Sequence, residues 1–174
     1  MKNDLICFSH LRWNFVYQRP QHLMSRAGKE SRIFYIEEPE FTKRADRLSV
    51  NVDPEHQVIV VTPELKRDPP EDKDALQLTV EMRMAALVDQ LILQNGITDY
   101  VTWYYAPMAI AFTEHLKPKA IVYDCMDELS LFRGAPARLR ENEVEPEKAH
   151  HQQKFPEILE VYAKQVFLKV QKLS

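Results

Sequence analysis

The stretch "FSHLRWNFVYQRPQHLMSR" (residues 8–26) decides how this chain folds. A short apolar run, Leu5-Ile6-Cys7-Phe8, breaks into Ser9-His10, passes Arg12, Trp13 and Asn14, and reaches Pro20. From there Leu23, Met24 and Ala27 recur at helical spacing, and proline suits the first turn of a helix. A strand is therefore followed at once by a helix over Pro20–Glu30. The turn between them carries His10, Arg12, Trp13 and Arg19 but no glycine.

Working outward, the alternation repeats. Arg32–Ile36 is a β-branched and aromatic run that ends in Glu37-Glu38-Pro39. Residues 40–56 are polar and read as irregular, with a short strand over Leu48–Val52. Val58–Val61 is a strand that Thr62-Pro63 should stop. Asp74 is placed to cap a helix running to about Gln94, with Leu76, Val80, Met84, Leu87, Val88 and Leu91 in helical period. Asn95-Gly96 closes it. Tyr100–Tyr105 and Ala120–Tyr123 are further strands, separated by a short helix from Pro107 to Leu116. Fully apolar strands alternating with helices predict an α/β fold, a Rossmann-like doubly wound and mostly parallel sheet. Past Pro136 no strand is expected; Pro156–Leu173 is at most an amphipathic helix.

A chain of 174 residues can bury a single core. Acids and bases are interspersed and the net charge is -3, which argues against a nucleic-acid partner. No apolar run reaches the roughly 18 residues of a membrane span, and the start lacks a secretory pattern, so a cytoplasmic protein is expected. Peripheral work at the inner membrane face is compatible with that. Cys7 and Cys125 lie in apolar runs and read as buried free thiols.

Ligands of such sheets bind outside the carboxyl ends of the strands. Those ends carry Ser9-His10, Glu37-Glu38, Tyr105-Ala106-Pro107 and Asp124–Glu128. The chain has only three glycines, none in the first turn, so neither a dinucleotide fingerprint nor a phosphate-cradling loop is present. No cofactor is expected. The helix start can still attract an anion, with Arg12 or Arg19 assisting; the other reading pairs Arg19 with a carboxylate such as Glu37. Trp13 and Phe15 serve either as anchors of the turn or as stacking rings. Asp127 either accepts a proton from an acceptor hydroxyl or caps the next segment. No local ligand spacing supports a metal, and His150-His151 reads as a solvated doublet.

Three blocks are more distinctive than the alternation. They are Trp13-x-x-Val16-x-Gln18-Arg19-Pro20-Gln21-x-Leu23, Trp103-Tyr104-Tyr105-Ala106-Pro107-Met108, and Val122-Tyr123-Asp124-Cys125-Met126-Asp127-Glu128-Leu129. Together, over about residues 3–143, they resemble the N-terminal half of bacterial glycosyltransferases of the GT-B fold, in the family 1/family 4 group of teichuronic-acid and exopolysaccharide type. The resemblance implies an acceptor-side Rossmann-like domain over 1–143, facing a donor domain across a cleft. It implies a nucleotide-sugar donor and a glycan or lipid-linked acceptor in cell-surface polysaccharide synthesis. His10, Arg12, Trp13, Arg19, Glu38 and Tyr105 would then line the substrate cleft, with Asp124 and Asp127 as catalytic residues. Residues 144–174 depart from the family's pattern and are expected to form a helical or poorly ordered tail. The donor half is expected to be missing, as in a truncated or split gene product inactive by itself; the alternative is a non-catalytic binding module on the same fold.

Overall fold

Runs of β-branched and aromatic residues become the centre of one sheet. The computed structural model describes residues 3–67, 73–124 and 168–172. Among these, the strands are β1 (Asn3–Phe8), β2 (Ser31–Ile36), β3 (Glu40–Thr42), β4 (Arg47–Asp53), β5 (Val58–Lys66), β6 (Tyr100–Tyr104), β7 (Ala120–Asp124) and β8 (Leu168–Lys172). The helices are α1 (Arg19–Ala27), α2 (Lys73–Gln94) and α3 (Ile110–Thr113), the last preceded by a 3-10 turn at Pro107–Ala109. The sheet runs β3-β5-β2-β1-β6-β7-β8, with β4 on the outer side of β5. Strands β5, β2, β1, β6 and β7 are parallel neighbours. Counted in chain order, these five stand as 3-2-1-4-5. The order reverses between β1 and β6, the switch point where such sheets open a crevice.

Successive side chains of a strand point to opposite faces, and here both faces are apolar. Leu5, Cys7, Ile33, Tyr35, Val58, Trp103 and Val122 pack beneath α1, which contributes Leu23 and Met24. Ile6, Phe8, Phe34, Ile36, Val61, Tyr104 and Tyr123 pack on the opposite face against Val88 and Leu91 of α2. Helices on both faces make the sheet doubly wound, as expected. Tyr104 stacks on Phe8 with ring centroids 5.1 Å apart, while Tyr105 turns toward the α1 face. Helix α2 ends as its sequence requires. Gly96 takes φ +59, and Ile97 N–H donates to Ile92 O at 3.0 Å, closing a Schellman turn.

Three segments differ from the sequence reading. Residues 40–56 are more regular than expected, forming β3 and a seven-residue β4. Strand β5 does not stop at Pro63 but continues to Lys66. Val61 O faces β2, accepting from Glu37 N–H, so Pro63, two residues on, points its nitrogen the same way. There it meets the break between the end of β2 at Ile36 and the start of β3 at Glu40. A missing N–H costs nothing at that spot. Finally, Leu168–Lys172 is a strand, antiparallel to β7, within the span read as helix. Leu168 and Val170 alternate with Lys169 and Gln171, a period of two that suits an edge strand. Other residues of the tail lie outside the described ones.

Gly28 follows α1 where the helix meets the turn between β4 and β5. A Cβ there would lie 2.6 Å from the His56 carbonyl oxygen and 3.3 Å from that of Met24. Gly→Ala at a negative φ ordinarily stabilises a chain. Gly28→Ala is expected to do the reverse, lowering unfolding free energy by about 1–3 kcal/mol in urea titration.

Candidate functional site

The glycine-free first turn is held by side chains. Glu37, buried at the end of β2, accepts the Trp13 backbone N–H on one oxygen at 2.7 Å. Its other oxygen accepts Arg12 Nη1 and the Thr62 hydroxyl, both at 2.8 Å. Gln21, fully buried in α1, donates its amide to the carbonyls of Arg12 and Trp13 at 3.1 Å each. Its oxygen accepts Gln18 N–H at 3.1 Å, capping the helix start. The Trp13 indole donates to Asp53 at 2.7 Å, and Asp53 also meets His56 Nδ1 at 2.9 Å. Tyr35 bridges Ser9 Oγ and the Leu11 carbonyl. This loop therefore needs no positive φ: its shape comes from buried amides and carboxylates that fill each other's hydrogen-bonding capacity.

A second polar group sits on the α1 face beside the switch point. Arg19, the first residue of α1, pairs with Asp124 at the end of β7. Burial pushes the Asp124 carboxyl up, against the pull of Arg19, Tyr105 and Trp103. Burial likewise raises the Tyr105 hydroxyl well above its ordinary value, with the charges of Cys7 and Asp124 adding to it. Asp124 Oδ2 is buried together with the Tyr105 hydroxyl and Trp103 Nε1, the two groups that act on it besides Arg19, whereas Arg19 Nε and His10 Nδ1 are buried without a hydrogen-bond partner. Cys7 is a buried free thiol, raised by burial and then by Asp124.

On the opposite face, the carboxyl ends of β1 and β2 open into a cavity of about 550 Å³. Phe8, Ile36, Val80, Met84, Met108 and Phe112 give it an apolar wall. Ser9, Glu37, Glu38, Gln77 and Glu81 supply its polar groups. Gln77 donates to Glu81 at 3.0 Å and Glu37 is saturated within the turn, whereas Glu38 is exposed at the rim. No Lys, Arg or His is among the described lining residues.

The strand ends singled out in the sequence thus do gather Ser9, Glu37, Glu38 and Ala106 at one opening. Others among the expected cleft residues do not face it. Trp13 takes the anchor role, one of the two its sequence allowed: it is 5% exposed and uses both N–H groups, because an indole must find a partner when buried. Phe15, by contrast, is 76% exposed. Arg12 is committed to Glu37 and, at 3.5 Å, to Glu40. Arg19 takes Asp124 rather than Glu37, which Arg12 holds. Tyr105 is buried beneath α1, away from the cavity, and His10 is half-buried beside it in sequence only. Asp127, Glu128, Cys125 and His150-His151 lie outside the described residues. Gln21 and Asp53 escaped the sequence reading. The capping spacing Gln18-x-x-Gln21 was the available signal for the first; Asp53 lies 40 residues from Trp13 and had none.

No protein-family model and no curated protein matches this chain. Among solved structures, one described as trehalose-6-phosphate from E. coli bound with UDP-2-fluoro glucose is similar at 12% identity and a TM-score of 0.43. It covers 66% of this chain and 30% of that one, so this chain spans under a third of its length. The fold class stands on the strand order itself. Among the described residues no helix is long and apolar enough to cross a membrane.

Asp53 carries a pH signature. Burial pushes its carboxyl up, but the Trp13 and His56 hydrogen bonds pull harder, and it titrates at about 2. A carboxylate depressed in the folded state stabilises above its unfolded pKa of about 3.9 and loses that stabilisation as pH falls toward 2. Asp53→Asn is expected to cost about 2 kcal/mol at pH 7 and to flatten the loss of stability between about pH 4 and pH 2. Urea melts across that range measure both.

Proposed function

We propose that this chain is the acceptor-side domain of a GT-B-type glycosyltransferase, working with a donor-binding domain that holds a nucleotide-sugar. The transfer would be to a glycan or lipid-linked acceptor in cell-surface polysaccharide synthesis. The observation that carries the reading is the cavity at the carboxyl ends of β1 and β2. Its charged groups are carboxylates, which repel a diphosphate and accept hydrogen bonds from sugar hydroxyls. Its wall is apolar, which suits the body of a lipid or aromatic aglycone. The occupant that fits is neutral, hydroxyl-bearing and partly apolar. The sequence blocks around Trp13–Gln21 and Tyr123–Leu129 support the same assignment.

Within this proposal Glu38 binds acceptor hydroxyls at the rim. His10, with its buried unpaired nitrogen, stands at the turn nearest the donor side. Asp124 is a positioning residue: it fixes Arg19 at the start of α1. The proton-accepting role goes to Asp127, three residues further on. An alternative is a non-catalytic binding module on this fold. It is favoured by the pairing of Arg12 with Glu37 and of Arg19 with Asp124, which takes both cations out of phosphate binding.

Calorimetric titration with octyl glucoside below its micelle concentration, and separately with UDP-glucose, tests the acceptor assignment. Saturable binding of the alkyl glycoside is expected, weakened about tenfold by Met108→Arg, which puts a charge on the apolar wall. UDP-glucose competing for the cavity, or no glycoside binding, overturns it. Once a donor domain is supplied, Asp127→Asn separates the two readings: loss of transfer with binding intact supports the enzyme, and binding without any transfer supports the module.

A further inference from the structure

Among the described residues, strand β4 is an edge with no strand beyond it, and its sequence is complementary to itself. It is seven residues long, with no proline, lysine or bulge of the kind that blunts an edge. Its inner side pairs antiparallel with β5 in continuous register from Arg47↔Glu64 to Asp53↔Val58. Val61 faces β2 with its backbone groups, so Val60, Thr62 and Glu64 face β4. Their partners Asn51, Ser49 and Arg47 therefore point inward. Leu48, Val50 and Val52 then turn their N–H and C=O groups outward, and among the described residues no strand takes them. Val50 and Val52 are also 54% and 57% exposed as side chains, extending the apolar row of Leu48 beyond the cover of α2.

We propose that this edge pairs with the same edge of a second copy of the chain, antiparallel about a two-fold axis through Val50. That register sets Val50 opposite Val50 and Leu48 opposite Val52. All three outward-facing residues then fall in hydrogen-bonded pairs, satisfying six backbone groups on each copy. The side chains match on both faces. On one, the two apolar rows join across the axis. On the other, Arg47, half exposed in its pair with Glu64, comes opposite Asp53 of the second copy; Asp53 keeps its bonds to Trp13 and His56, so the opposite charges attract across the seam without a new hydrogen bond. A shift by one residue would face inward-pointing groups with outward-pointing ones, and a shift by two would leave Val52 or Leu48 unpaired and separate the charges. The isologous arrangement uses one patch twice, as a two-fold dimer does. Two seven-residue strands bury less than the roughly 1,000 Å² of a durable interface, so the dimer is weak and concentration-dependent.

The pairing is independent of the sugar-transfer reading and is tested without any ligand. Sedimentation velocity of the full chain over a range of concentrations should show a dimer fraction that rises with concentration. Val50→Lys, which puts two like charges on the axis, should weaken association about tenfold or more. The register is read separately by cross-linking in a Cys125→Ser background. Val50→Cys should form a disulfide-linked dimer under mild oxidation, since residue 50 meets itself, whereas Val52→Cys should not, its copies lying on opposite sides of the axis. Far-UV circular dichroism of each variant checks that the exposed substitutions leave the fold in place. A chain that is monomeric at every concentration overturns the proposal and leaves the edge to a strand of a different protein. A dimer that survives Val50→Lys, or links equally through Val52→Cys, overturns it as well.

Discussion

The Glu37 carboxylate organises the first turn and, through it, the opening at the strand ends. It lies where β2 stops, buried, and reaches back to a loop 24 residues earlier to take the Trp13 backbone N–H. The same group holds Arg12 and Thr62. A buried carboxylate is tolerable only when its lone pairs are filled, so these contacts are mutually required. They fix where β1 ends, where α1 begins and which way β2 leaves the sheet. Gln21 completes the arrangement from inside α1, closing the loop carbonyls that no other backbone group could reach. The absence of glycine in this turn follows: the loop is shaped by polar side chains rather than by unusual backbone angles.

That solution has a chemical consequence. Arginines near the switch point are spent on structure, Arg12 on Glu37 and Arg19 on Asp124. The described walls of the cavity offer carboxylates and hydrocarbon instead. Among the described lining residues the charges at the opening are therefore negative, which disfavours a phosphate there. The two faces of the sheet divide the work: a polar, closed cluster beneath α1 and an open apolar cavity beside α2.

Much of the fold was legible in the chain because its signals are local. Short apolar runs marked β1, β2, β6 and β7, and their lack of alternation announced burial on both faces. The period of Val80, Met84, Leu87, Val88 and Leu91 marked α2, and Asn95-Gly96 marked its end. Pro63 misled for the opposite reason. Whether a proline interrupts a strand depends on which neighbour its nitrogen faces, and the break between β2 and β3 that accommodates it belongs to other parts of the chain.

By itself, then, the sequence determined the α/β class, the order of the central strands and helices, and the collection of polar residues at the strand ends. These depend on periodicity and composition within a dozen residues. Only the tertiary structure decided the partners: Glu37 with Arg12 and Trp13, Asp124 with Arg19, Asp53 with the Trp13 indole. Each joins residues 24 to 105 positions apart. A carboxylate has several cations within reach in composition but one in space, and burial forces it to take that one. The same holds for β4, of which a short strand over Leu48–Val52 was expected but whose exposed edge appears only once β5 has claimed its inner side.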